Sequence, residues 1–121
     1  MTSPKTDIVR LQHMLDAAQK ALQFIQGRAR QDLDENELLS LAVVRLVEIL
    51  GEAAKNLSLE ARAQAPNIPW RQIAGTRDRL SHAYFDIDLD IIWDIVTNDL
   101  PAIVPELQNL LQTLEHQSSG N

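Results

Sequence analysis

Three long stretches of the chain repeat apolar residues at steps of three and four, and none repeats them at a step of two. The first is Ile8, Leu11, Leu15, Ala18, Leu22 and Ile25. The second is Leu38, Leu41, Ala42, Leu46, Ile49 and Ala53, widened by Val43, Val44, Val47 and Leu50. The third runs through Leu89, Ile92, Trp93, Val96, Leu100, Ile103, Leu107, Leu110, Leu111 and Leu114. That period belongs to amphipathic helices, and strands have no pattern to grow from. Such stripes bury themselves only by packing helix on helix, so the expected fold class is all-α, a bundle of four to five helices.

Punctuation residues set the boundaries. Ser3 followed by Pro4 reads as an N-cap and a first-turn proline, and the first helix should end near Gly27. Residues 28–37 form a charged connector, with Asp34 or Asn36 as the cap of the second helix. That helix should run from about Glu37 to Leu57. Its apolar surface covers more than one face, so it wants a second partner besides the first helix; a dimer interface is one solution. Gly51-Glu52-Ala53-Ala54 interrupts it with small residues that permit close helix approach. Ser58 can cap a short helix to about Ala65. Pro66-Asn67-Ile68-Pro69 is an extended linker, because a residue before proline avoids the helical region. A helix placed over residues 70–84 comes next, then a loop at Phe85-Asp86-Ile87-Asp88 with Asp88 capping the last helix. Pro101 and Pro105 should kink or restart that helix near Asp99. The 121 residues suit one domain, 1–121, with ends fraying over about 1–5 and 116–121.

Charge narrows the function. The net charge of −6 disfavours broad, sequence-independent binding of nucleic acid, which depends on many phosphate contacts. The absence of cysteine and the scatter of three histidines at 13, 82 and 116 leave no metal site to expect and imply no cofactor. His13 and His116 read as exposed helix residues. No apolar run approaches the roughly 20 residues of a membrane span. The opening residues lack the apolar core of a signal peptide, so the expectation is a soluble, cytoplasmic protein.

Chemistry concentrates in Gly75-Thr-Arg-Asp-Arg-Leu-Ser-His-Ala-Tyr84. Arg77 and Arg79 are two of eight arginines, His82 is one of three histidines, and Tyr84 is the single tyrosine. Histidine moves a proton near neutral pH, and arginine offers a planar fork to a phosphate or a developing oxyanion. Together Arg77 and His82 could cut RNA at the 2′-hydroxyl without a metal. Asp78, four residues before His82, could hold the imidazole tautomer. On a regular helix Arg77 and His82 diverge by about 140°. They meet over one ligand only if the helix ends near His82 or a second subunit completes the cleft. The same residues also suit a capping and ion-pair network, and Tyr84 suits a half-buried packing role. Glu52 reads equally as a solvated charge or as a group near a helix contact.

Arg77, four residues, His82, one residue, Tyr84 resembles the motif of the HEPN superfamily. The wider series Gly51-Glu-Ala-Ala-Lys55, Pro69-Trp70-Arg-Gln-Ile-Ala-Gly75, His82-Ala-Tyr-Phe-Asp-Ile-Asp88, Ile92-Trp93 and Asp99-Leu-Pro101 is similar, in order and spacing, to HepT toxins. The likeness spans about residues 7–114. It implies a homodimeric HEPN-type helical bundle and a toxin ribonuclease with a composite cleft between subunits. It implies Arg77 and His82 as catalytic residues, with Asp78, Arg79 and Glu52 in support. Asp78 stands where family members often carry asparagine. The resemblance further implies a cognate antitoxin, the minimal nucleotidyltransferase MntA, that transfers AMP from ATP onto Tyr84. Charge and bulk added there would block a phosphate site beside Arg77. Two other readings stay open on the residues alone. One is a non-catalytic helical subunit that presents a nucleotide or substrate to a nucleotidyltransferase; the other is a plain dimeric scaffold.

Overall fold

The computed structural model describes residues 4–76, 81–83 and 86–119, with side chains for 5–76 and 87–119. Arg77, Asp78, Arg79 and Tyr84 lie outside the described residues, as do Ser3 and its expected cap.

Helix α1 (Pro4–Ile25) begins on the proline, whose missing N–H would have had no intrahelical partner at that position. It stops where Gly27 turns left-handed at φ +76, with Arg28 N–H donating to Ile25 O at 2.9 Å. The connector is not wholly irregular. It holds a four-residue helix, α2 (Asp32–Glu35), that buries Leu33, and the Asp32 carboxylate accepts from Ala29 N at 2.6 Å. Of the two candidate caps for the next helix, Asn36 serves: its Oδ1 accepts from Leu39 N at 3.0 Å.

Helix α3 (Glu37–Lys55) stops two residues before the expected Leu57. Two arginines from elsewhere close its end. Arg62 Nη2 donates to Ala54 O at 2.9 Å and Lys55 O at 2.8 Å, and Arg10 Nη1 donates to Asn56 O at 2.7 Å. Cations belong at a helix C-terminus, where carbonyls lack partners and the dipole is negative. Helix α4 (Leu59–Ala63) is capped by Ser58, whose Oγ accepts from Ala61 N at 3.1 Å. The Pro66–Pro69 linker is held by Trp70, whose indole N–H is shared between Arg62 O at 3.1 Å and Ala65 O at 3.0 Å. Helix α5 (Trp70–Ala74) then packs on α3.

The chain leaves the helix earlier than the periodicity predicts. Residues 70–84 do not form one helix: α5 ends at Ala74, and strands β1 (Ser81–Ala83) and β2 (Asp86–Ile87) pair antiparallel with an irregular register. Gly75, a poor helix former, makes the turn that interrupts the helix, while Thr76 is helical again and its Oγ1 donates to Gln72 O at 3.2 Å. The segment expected as a loop before Asp88 is therefore half of a short ribbon. Asp88 does cap α6 (Leu89–Asp94), accepting from Asp90 N at 2.9 Å.

Residues 89–119 form one continuous rod: α6, a π-helical turn at Ile95–Asp99, and α7 (Leu100–Ser119). The break expected near Asp99 takes the form of this wide turn, closed by Leu100 N–H donating to Ile95 O. Pro101 explains the position, because it brings no N–H to the next carbonyl along.

The protein is thus all-α, with six helices among the described residues if the rod counts as one and a two-stranded ribbon besides. α3 is central: α1 packs on one side and α5 on another, and α1 also packs along α7. Leu11, Met14, Val43, Val47, Ile92, Val96 and Leu107 form the fully enclosed middle. The wide apolar surface of α3 is therefore largely covered within the subunit. Its N-terminal end is the exception, with Leu38 82% and Leu41 60% exposed.

Two sites test this arrangement. Asp7 is 5% exposed, and its carboxylate accepts from Ser58 N at 2.9 Å and Ser58 Oγ at 2.6 Å, which lashes α1 to the start of α4. Asp7→Ala strands those donors, and urea unfolding should show a loss of about 1–3 kcal/mol. Gly51 admits α5 so closely that a Cβ there would lie 3.0 Å from Ile73 O and 3.6 Å from Thr76 Cβ. Gly51→Leu should cost about 1–3 kcal/mol by overpacking. Glu52→Ala, next to it on an exposed face, should stay within about 0.5 kcal/mol.

Candidate functional site

The run-up to the motif is anchored from three directions. Trp70 is buried and doubly bonded through its indole N–H, Ile73 is buried, and Thr76 is 3% exposed although it is polar. Thr76 is the residue before Arg77 in the chain, so the helix that delivers the motif is fixed against α3 up to the motif's first residue. On the far side, Asp88 caps α6 and Arg30 binds its first turn. Arg30 Nε donates to Asp90 Oδ1 at 2.6 Å and Nη1 to Asp34 Oδ2 at 3.0 Å. The hydrogen bond to Asp90, opposed by desolvation and helped by Asp34, holds the guanidinium pKa above its ordinary value. The guanidinium therefore stays charged in use and ties the connector to α6.

Between these anchors, the backbone of His82 lies in β1. An antiparallel ribbon sends successive side chains to opposite faces, so helical azimuths for Asp78, His82 and Tyr84 do not carry through residue 82. A helix over 77–82 would separate Arg77 from His82 by more than a third of a turn; the backbone of His82 lies in a strand, so no such helix reaches it. The side chains of the motif lie outside the described residues.

Glu52 is exposed and does not face α5. It lines a groove of about 230 Å³ between α1 and α3, together with Arg10, His13, Arg45 and Asn56. The Glu52 backbone carbonyl accepts from Asn56 Nδ2 at 3.0 Å. Arg10 and His13 are three apart on α1, and Arg45 and Glu52 seven apart on α3, so each pair shares a face. His13 is exposed, as its place on α1 predicts. Only the packing of α1 on α3 brings it beside Glu52, and no local spacing signals that.

A second groove lies on the other side of α5. Asn67, Gln72, Asn98, Asp99 and Glu106 line it, with a volume of about 170 Å³. Among the described residues no three His, Asp or Glu side chains come together in a way that could hold a metal ion. No described helix is long and apolar enough to cross a membrane.

Comparison with known proteins places these features. The sequence profile of the family described as Ribonuclease HepT-like matches residues 14–113, which includes α1 from Met14, α3, α5, the whole motif and most of α7. A provisionally named RNase of Caldanaerobacter subterraneus is 35% identical over 108 residues, covering 89% of this chain and 96% of that protein. Another, from Methanocaldococcus jannaschii, is 31% identical over 119 residues and 98% of each chain. A protein of Thermococcus cleftensis provisionally named ribonuclease HepT is 33% identical over 100 residues, 83% of this chain and 91% of its own. No solved structure matches the chain.

Proposed function

Since the chain belongs to the HepT-like ribonuclease family, we propose that it is the toxin of a toxin–antitoxin pair, a metal-independent endoribonuclease silenced by adenylylation of Tyr84. The observation that carries this reading is the position of Arg77, His82 and Tyr84 inside the matched span 14–113.

In this mechanism His82 takes the proton from the ribose 2′-hydroxyl, and the freed oxygen attacks the adjacent phosphorus. The bond from phosphorus to the 5′-oxygen breaks. That oxygen takes up a proton from water, and the products are a 2′,3′-cyclic phosphate and a 5′-hydroxyl. Arg77 holds the charge that gathers on the phosphoryl oxygens. Asp78 and Arg79 support the site, whereas Glu52, expected to join them, lies in the groove between α1 and α3. DNA has no 2′-hydroxyl and cannot follow this route. An acidic protein suits a substrate gripped at a few phosphates rather than along a wide surface.

A homodimer completes the cleft. Leu38 and Leu41, three apart on α3 and 82% and 60% exposed, support the need for an apolar partner surface. The control partner is a minimal nucleotidyltransferase of the MntA type. The Tyr84 hydroxyl attacks the α-phosphorus of ATP, pyrophosphate leaves, and the attached AMP fills the site where RNA phosphate would bind.

His82→Ala and Arg77→Ala should each lower RNA cleavage at least about 100-fold and abolish growth arrest, while circular dichroism stays unchanged. Cleavage should persist in excess EDTA; loss on chelation would overturn the metal-free route. Intact mass after co-expression with the nucleotidyltransferase should rise by whole AMP units. Additions that survive Tyr84→Phe, or none at all, would remove the tyrosine from the account.

A further inference from the structure

The groove beside α5 has a chemistry unlike that of a phosphate site. Its rim is Asn67 and Gln72 on one side and Asn98, Asp99 and Glu106 on the other. Among the described residues no lysine or arginine lines it, and the Glu106 carboxylate would oppose an anion there. Its walls are Ile68, Pro69 and Ile103, of which Ile68 and Ile103 are buried. A slot with apolar sides and an edge of amides and carboxylates fits a flat, neutral, hydrogen-bonding ring.

The groove continues inward. A small enclosed space of about 20 Å³ lies against it, sharing Pro69, Gln72, Asp99 and Ile103 and reaching Thr76. Thr76 is the residue before Arg77 in the chain. The far wall is the π turn. Turns of this kind are scarce and frequently mark functional sites. This one carries both Asn98 and Asp99. Asn98 Nδ2 donates to Asp94 Oδ1, which leaves the Asn98 carbonyl oxygen as an acceptor at the groove.

We propose that this groove is a base pocket, which takes a nucleobase bearing an exocyclic amine from the RNA chain and discriminates against uracil. Glu106 accepts a hydrogen bond from the amine of adenine, cytosine or guanine, as acidic residues do when they read cytosine in DNA. Asn67 and Gln72 complete the edge as donors and acceptors. Uracil offers only carbonyl oxygens where the amine would be, and those oppose the Glu106 carboxylate. The proposal rests on the ribonuclease reading for RNA to be the ligand. The slot itself is independent of that reading.

Nucleosides without phosphate test the slot directly. Adenosine, cytidine, guanosine and uridine are titrated into the nitrogen-15-labelled full chain, and the side-chain amide signals of Asn67, Gln72 and Asn98 are followed. The three amino-bearing nucleosides should shift these signals with affinities about tenfold above that of uridine. Ala102→Trp, which fills the groove from an exposed position, should abolish the shifts and leave the fold intact by circular dichroism. Absence of shifts, equal response to uridine, or shifts that survive Ala102→Trp would overturn the pocket. Cleavage-site mapping supplies the second arm. The wild-type protein should cut with an amino-bearing base at one fixed offset, and Glu106→Ala should relax that preference about tenfold. RNA cut with no base preference overturns the pocket and spares the nuclease. Nucleoside shifts without any RNA cleavage support the pocket and overturn the nuclease.

Discussion

The close approach of α5 to α3 governs how the rest of the molecule is arranged. The Ile73 carbonyl sits 3.0 Å from where a side chain on Gly51 would begin, so the two helices meet backbone to backbone. Any larger residue at 51 lifts α5, and with it Thr76 and the chain that continues into Arg77. A helix of five residues has almost no stability alone. It persists because Trp70 and Ile73 are buried against α3 and because the indole N–H ties it to the turn before it. The site is thus carried by a short element whose shape is borrowed from a long one.

The arginines show how an acidic chain deploys its few cations. Arg10 and Arg62 close the C-terminus of α3, and Arg30 bridges the connector to the first turn of α6. These are intramolecular uses, made in part from burial and geometry that a free phosphate would have to disrupt. The guanidiniums of the motif therefore stand in a molecule where several other arginines are occupied with its own carbonyls and carboxylates. That division suits a site of small extent.

Most of the helical frame is readable from periodicity, because long stripes leave little choice. The caps at Asn36, Ser58 and Asp88 are readable too, since a short polar side chain before an apolar run has one local mechanism. Two things are not. The helix over 70–84 fails at Gly75, where apolar spacing continues to look helical but backbone preference does not; Leu80 and Ala83 fit its core face by spacing alone. The ribbon of β1 and β2 has only five residues in all, too few to show an alternating pattern. The groove residues are invisible for another reason. Asn67, Asn98 and Glu106 meet through tertiary packing, and nothing within reach of any one of them in the sequence announces the others. Arg77, His82 and Tyr84 are conspicuous by residue type, since chemistry of that kind is rare in the rest of the chain.

The π turn separates two properties that usually travel together. Over nearly the same rise it accommodates roughly one residue more than an α turn would. Shortening the segment 95–99 by one residue would let an ordinary turn close while both flanks kept their inward faces, Ile92 above and Leu107 below. The bundle would lose little, yet Asn98 and Asp99 would be drawn round the rod and away from Asn67. Descendants of this chain could therefore reshape the groove through a single-codon deletion, with the surrounding scaffold left standing.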